Sequence, residues 1–354
     1  MNDILNPELS WIEGRCYRTN NSSNETTDYQ EHDLYENEIL YTDEGNENEE
    51  DFDVEKVDDT RYMTKFHVPK HYLGSIIGKK GAIKYRIEHD TRTEIKIPNH
   101  GQTGDILIYG PSQSNVRAAR RRINIIVMSS RMKQRATHFI SIPMNNTDII
   151  RNFENFKERV LTECPSRGLE ECLFIKSSKL HLTLGVMCLM DNEERLLASK
   201  LLTEAKETVI KPLLQGIEPI RISLRGLSYM NDDPKEIDVL YGQVKEENSS
   251  GLLQLLADSL AEHFYKAGFL KKEFGGDSVK LHVTLINSKY RNQEKSGDVR
   301  NSRKPRESFD GSVILKKFGD YDFGIMELTN VHLSQRHTMG ADGYYQPTCV
   351  VSCT

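Results

Sequence analysis

Cysteine is scarce in this sequence and carries no pattern. The six residues, Cys16, Cys164, Cys172, Cys188, Cys349 and Cys353, show neither paired CxxC spacing nor the density of a disulfide scaffold. Reduced thiols are therefore expected, not bridges or a zinc site. Long apolar runs are also missing, so no segment is suited to span a bilayer and no membrane partner is expected. The opening Met-Asn-Asp-Ile-Leu-Asn-Pro-Glu lacks the basic-then-apolar order of a secretory signal, and the chain reads as intracellular. On that reading the glycosylation sequons at Asn21 and Asn24 are chance matches. A net positive charge is absent as well: 47 Lys and Arg against 53 Asp and Glu leave −6. That average hides an asymmetry. Acidic residues crowd positions 1–58, while basic ones collect around Gly78 and from Arg117 to Arg135. Such a division points to an acidic tail on a body able to meet a polyanion.

What is present begins with that tail. Residues 1–58, including Asn46-Glu47-Asn48-Glu49-Glu50-Asp51, hold too few apolar groups to offset the entropy of ordering, and disorder is expected. One stretch stands apart: residues 9–17 contain the single tryptophan, Trp11, beside Ile12 and Tyr17. It is a candidate docking peptide, with a solvated tail carrying incidental hydrophobes as the alternative.

Residues 60–133 have the pattern of a small α/β module. Met63, Phe66 and Val68 suggest a strand closed by Pro69. Helices are expected from His71 to Ile77 and from Ala82 to Asp90, then strands over Glu94–Ile97 and Asp105–Tyr109, parted by a turn at Pro98–Gly101. A helix over Ser112–Met132 turns Val116, Ala119, Ile123 and Ile126 inward and Arg117, Arg120, Arg121 and Arg122 mostly outward. Between the first two helices lies Ile77-Gly78-Lys79-Lys80-Gly81. Glycines there let the backbone approach a sugar-phosphate chain, and two lysines with a helix N-terminus supply positive potential. Ile76, Ile77, Ile83, Ile95 and Ile97 are candidates for an apolar groove that receives bases.

Residues 136–354 form the larger domain, and its signature occurs twice: Lys179-Leu180-His181-Leu182-Thr183-Leu184 and Lys280-Leu281-His282-Val283-Thr284-Leu285. On a strand, alternate side chains share a face, so Lys, His and Thr of each copy form a polar stripe backed by apolar residues. Around them the pattern predicts strands at His138–Ile142, Ile220–Leu227, Val239–Val244 and Phe323–Gln335. Helices are expected with Ile149, Phe153, Phe156 and Val160 on one face, over Asn192–Leu214, and over Gly251–Ala267 ending at Gly268; Asn231-Asp232-Asp233-Pro234 makes a turn. Two rounds of strand, helix and strand predict a pseudo-two-fold pair of lobes, with His181, Thr183, His282 and Thr284 in the cleft between them. One neutral imidazole can take a proton from an attacking oxygen while the other, protonated, gives one to the leaving oxygen. The hydroxyls can donate to non-bridging phosphate oxygens. No cofactor or metal is expected, since two histidines and two hydroxyls are poor ligands for magnesium or zinc. Lys179 and Lys280 could add phosphate attraction, His332 could border the site, and the basic stretch 289–306 reads as a loop beside the cleft that guides a polyanion, or as a solvated insertion.

These motifs carry two resemblances. Val68 to Ile97 resembles a KH domain of the eukaryotic type, which implies single-stranded RNA, or single-stranded DNA, held along Ile77, Gly78, Lys79, Lys80 and Gly81. The paired His-x-Thr strands resemble the two-histidine phosphoesterase superfamily. That resemblance implies His181 and His282 as catalytic, Thr183 and Thr284 as phosphate contacts, and RNA ends, cyclic phosphates or 2′,5′-linked oligonucleotides as substrates. The overall class is thus α/β (α+β), a KH domain plus a bilobal phosphoesterase domain. Their succession behind an acidic tail resembles a family of cointegrator-complex subunits. It implies a protein of the nucleus, and also of the cytoplasm, with other cointegrator-complex subunits including a helicase as partners, in transcription coactivation and repair of alkylated nucleic acid. Two readings stay open: a metal-independent RNA phosphodiesterase, or an adaptor or scaffold that binds RNA ends without turnover.

Overall fold

The computed structural model describes residues 9–12, 15–18, 52–99, 104–230, 232–248, 250–270, 278–292 and 306–353. The acidic run at 46–51, His100 and Gly101 of one expected turn, Asn231 of another and the basic stretch 293–305 lie outside the described residues. The chain divides into two compact units, Met1–Phe52 and Asp53–Thr354. In the first, β1 (Leu9–Ile12) pairs antiparallel with β2 (Arg15–Arg18), so the candidate docking peptide is a short hairpin.

In the second unit, β3 (Glu55–Asp58) and β4 (Arg61–Phe66) are followed by α1 (Lys70–Ile77), α2 (Ala82–Thr91), β5 (Glu94–Lys96), β6 (Ile106–Gly110) and α3 (Gln113–Met132). The strands form an antiparallel sheet in the order β3-β4-β6-β5. Composition assigned Glu55–Asp58 to the tail; backbone pairing with β4 takes it into the sheet in spite of its exposed, charged side chains. Helix α3 starts where the Ser112 hydroxyl accepts the Asn115 amide. Its Val116, Ala119 and Ile123 are fully buried against Tyr72, Ile76, Ile87, Ile106 and Ile108. Ile76 and Ile95 are therefore core, and the expected apolar groove keeps only Ile77, Ile83 and Ile97 at its surface. The arginines of α3 are less free than helical spacing suggested. Arg122 pairs with Asp90 at 2.7 Å, Arg120 lies over Phe66, and only Arg121 of the four is exposed.

The remaining chain runs β7 (His138–Pro143), α4 (Thr147–Glu163), β8 (His181–Met187), α5 (Asn192–Ala205), a π-helical turn, α6 (Lys211–Leu214), β9 (Arg221–Tyr229), β10 (Val239–Glu246), α7 (Leu252–Lys266), β11 (His282–Asn287), α8 (Ser312–Phe318), β12 (Asp322–Glu327), β13 (Asn330–Met339) and β14 (Tyr345–Ser352). All eight strands join one antiparallel sheet in the order β12-β9-β10-β11-β8-β7-β13-β14. Two halves of four strands meet at β11 and β8. The segment Phe323–Gln335 is not one strand completing one lobe but two, β12 and β13, in different halves. Only Leu328 and Thr329 separate them in sequence, so the sheet must curl until its distant strands meet end to end. The Leu328 amide bonds the Ile220 carbonyl at 2.8 Å, continuing the β12–β9 ladder, while the Cys353 amide beyond β14 bonds the Thr329 carbonyl at 2.8 Å.

Helix α4 buries the predicted stripe, Ile149, Phe153, Phe156 and Val160, completely. Each such burial is worth about 2 kcal/mol. Phe156 meets Phe318, Tyr321 and Phe323 within 5.2–5.7 Å. The two modules of this unit are also locked together. Arg131, at the end of α3, is paired with Glu194 on α5, their side chains only 10% and 3% exposed. His67 meets Asp191 at 2.8 Å, and the Tyr72 hydroxyl points to Cys188.

Candidate active site and nucleic-acid interface

The two signature strands lie side by side. Strands β8 and β11 pair antiparallel through Leu182 and Val283, which sets His181 alongside Thr284 and Thr183 alongside His282. Side chains directly opposite on such a ladder are roughly 5 Å apart and diagonal ones roughly 7–8 Å, so the two imidazoles flank a space the size of a phosphate. Burial follows the predicted alternation: His181, Thr183, His282 and Thr284 are half-buried, while Leu182, Leu184, Val283 and Leu285 are buried on the other face.

The lysines depart from the strand pattern. Ser177–Lys179 is a 3₁₀ turn and β11 begins at His282, so Lys179 and Lys280 precede the strands and do not extend their stripes. Their carbonyls perform a matched task instead. His181 Nδ1 lies 2.7 Å from the Lys179 carbonyl oxygen, and His282 Nδ1 lies 2.8 Å from that of Lys280. A carbonyl only accepts, so each Nδ1 carries the proton and each Nε2 is left as the basic nitrogen.

The ammonium groups are matched too. Lys179 Nζ lies 5.4 Å from the ring centre of Tyr345, which stands edge-on to His181; Lys280 Nζ lies 4.9 Å from that of Tyr241, which stands edge-on to His282. Each half of the cleft thus holds a Lys–Tyr–His group. Neither tyrosine was found by sequence reasoning. Tyr241 is reached through the register that sets it opposite Thr284, and Tyr345 comes from β14, a strand the pattern missed.

The two halves then differ. Phe139, 5.0 Å away, and Tyr344, 6.5 Å away, also border His181. Burial among these rings, with the charge of His282 nearby, holds the His181 imidazole down to about 4, against the opposing bond to Lys179. Burial likewise lowers Lys179, helped by the positive charge of Lys176, and pushes Tyr345 up to about 12. His332 sits opposite Ser141 and 5.8 Å from Tyr344, on the margin of the site, and burial lowers its imidazole. A cavity of about 950 Å³ opens beside Thr183, Lys280 and His282 and extends to Arg131 and Gln134 at the end of the KH-like module. Among the described residues no group of three or more His, Cys, Asp or Glu side chains is arranged to hold a metal ion.

At the other predicted site, Gly78, Lys80 and Gly81 take left-handed backbone angles, φ +70°, +54° and +80°. A β-carbon on Gly78 would lie 2.6 Å from Ile83 Cγ1. Lys79 and Lys80 are exposed at the start of α2, and Ile77 beside them is 36% exposed. The arrangement offers backbone amides, two cations and an apolar step to an extended chain.

Comparison with known proteins gives consistent relations. The AKAP7 2'5' RNA ligase-like domain family matches residues 136–352, and the KH domain family matches residues 63–125. Activating signal cointegrator 1 complex subunit 1 of Mus musculus is 35% identical over 355 aligned positions, covering 97% of each chain. Among solved structures, the first KH type I domain of human vigilin is 24% identical, with 24% of this chain and 90% of that one covered at a TM-score of 0.21. The structure of TT0787 of Thermus thermophilus is 18% identical, with 61% and 97% covered at 0.37.

Proposed function

The chain belongs to the family of activating signal cointegrator 1 complex subunit 1 and carries that family's KH and AKAP7 2'5' RNA ligase-like domains; from that premise we propose that it is an RNA-binding, metal-independent phosphodiesterase acting on single-stranded RNA ends. The observation that carries the reading is the duplicated geometry of β8 and β11. Two histidines face one space, each with Nδ1 tied to the carbonyl two residues back. His181, neutral at physiological pH, takes the proton of the attacking oxygen at Nε2 as the new P–O bond forms. His282 delivers a proton to the oxygen leaving phosphorus. Thr183 and Thr284 donate to the non-bridging oxygens, where charge accumulates.

The test uses the full chain with end-labelled single-stranded RNA in EDTA. Changed termini are expected, with the rate falling about 10²–10⁴-fold in His181→Ala and His282→Ala while RNA binding is retained. Unchanged RNA for every linkage tried would leave the second reading, an adaptor that binds RNA ends without turnover. The relative is named as a complex subunit, and the proposal extends to this chain: a nuclear complex subunit with a helicase partner, in coactivation and alkylation repair. Co-purification of a helicase with the tagged chain from nuclear extract supports that extension, and its absence removes it.

A further inference from the structure

Beside the His181 half of the cleft, four cations from different parts of the chain draw together. Arg336, on β13, is placed by its amide bond to the Thr137 carbonyl at 2.9 Å, two residues beyond Arg135 in the connection from α3. Lys289 follows β11, its amide bound to Asn287 Oδ1 at 3.0 Å. Arg306 reaches the same turn, donating to Ser288 Oγ at 2.7 Å and to Asn287 Oδ1 at 2.8 Å. Arg306 is neutralised by Asp238 at 3.2 Å. For Arg135, Lys289 and Arg336, all exposed, there is no carboxylate partner among the described residues. Burial, then the charges of Arg336, Arg306 and Arg135, lowers the Lys289 ammonium, and Arg336 also acts on Tyr290 and Tyr345. Like charges that act on one another without a paired acid cost free energy, which a bound polyanion would return.

We propose that Arg135, Lys289 and Arg336 form a phosphate-binding rim beside the His181 half of the two-histidine cleft, which carries the sugar-phosphate backbone of a single RNA strand whose end enters the cleft. The position of each cation supports a path. Arg135 lies in the connection between the modules, Lys289 lies just past the end of β11 remote from His282, and Arg336 acts on Tyr345, the ring against His181. The inference rests on the reading of the cleft as an RNA-end site and sharpens its substrate to a polynucleotide several phosphates long, not a free cyclic mononucleotide.

Equilibrium binding, measured by fluorescence anisotropy on the full chain, tests this independently of turnover. One labelled RNA has about four nucleotides, the length a KH groove holds by itself, and another about twelve. The triple variant R135Q/K289Q/R336Q should bind the short RNA as the unaltered protein does. With the long RNA it should lose at least tenfold in affinity, and its slope of log K against log salt should become shallower by about 2, three phosphate contacts at about 0.7 each. Lys289→Gln alone should shift the slope by about 0.7, and decides the matter should the triple variant melt early. An unchanged slope and affinity for the long RNA would overturn the rim. A shallower slope together with no RNA turnover by the unaltered protein would leave the rim standing and remove only the enzymatic reading.

Discussion

Replacing Arg131 by alanine tests how firmly the KH module is fixed to the phosphoesterase module. The Arg131 guanidinium pairs with Glu194, donates to the Gly268 carbonyl, and lies 4.9 Å from the ring centre of Phe269 and 5.7 Å from that of Tyr72. Glu194 is 3% exposed at its side chain and keeps one other bond, from the Met190 amide at 2.7 Å. Removing the cation strands a carboxylate that one amide cannot compensate, and breaking a buried pair from one side costs about 3–5 kcal/mol. At about 2–4 °C per kcal/mol, the melting temperature should fall by roughly 6–20 °C. Arg131→Lys keeps the charge but not the planar fork, and should fall between. The double replacement Arg131→Met with Glu194→Met removes both desolvation costs and should recover most of the loss. Calorimetry and urea unfolding at neutral pH give the comparison. An Arg131→Ala protein within 1 kcal/mol of the unaltered chain, or a double variant no better than the single one, would refute the reasoning.

Acid should destabilise the fold earlier than its carboxylates require. Burial holds His138 and His181 down to about 4, below their ordinary 6.5. The unfolded state therefore binds more protons across that window, and stability present above pH 6.5 is lost as pH falls toward 4, by up to about 3 kcal/mol for His138, which is 3% exposed. Urea midpoints of His138→Phe should be flatter over that interval than those of the unaltered protein. In the KH loop, Gly78→Ala should cost about 1–3 kcal/mol and weaken RNA binding, because its β-carbon meets Ile83. Gly81→Ala, in the αL conformation and facing open space, should cost only the backbone strain of about 1–2 kcal/mol. Equal losses at the two glycines would contradict the packing argument.

The elements that sequence periodicity made legible are those whose buried face repeats. The stripe of α4 and the alternation around His181 and His282 are visible because tertiary packing demands that spacing from each residue. What escaped was set by partners remote in sequence. Strand β3 is charged and exposed, and exists through pairing with β4; β14 shows a half-buried run without clear alternation. The division of Phe323–Gln335 depends on the curl of the whole sheet, which two residues, Leu328 and Thr329, record without announcing. Tyr345 illustrates the same limit inside the site. No local pattern ties it to His181, because the two meet only after β14, β13, β7 and β8 are laid side by side.

A duplicated strand gives two like histidines, and their surroundings decide which of the two holds the proton more readily. Their difference must come from the neighbouring strand. Opposite His181, β7 presents Pro143, with Phe139 two further alternations along the same face; opposite His282, β10 presents Gln243, whose amide donates to the Leu227 carbonyl at 3.1 Å. An imidazolium at His181 would lose solvent among these rings, and this burial, with the charge of His282, outweighs the bond to the Lys179 carbonyl and lowers its pKa. On the proposed reading His181 is then the base and His282 the acid. Exchanging the environments should exchange the roles. Pro143→Gln should ease protonation of His181, so NMR titration of its imidazole should move upward toward 6.5, and the acid limb of any rate profile should move upward with it. A His181 titration unmoved by Pro143→Gln would mean that the rings of Phe139, Tyr344 and Tyr345 alone set its protonation.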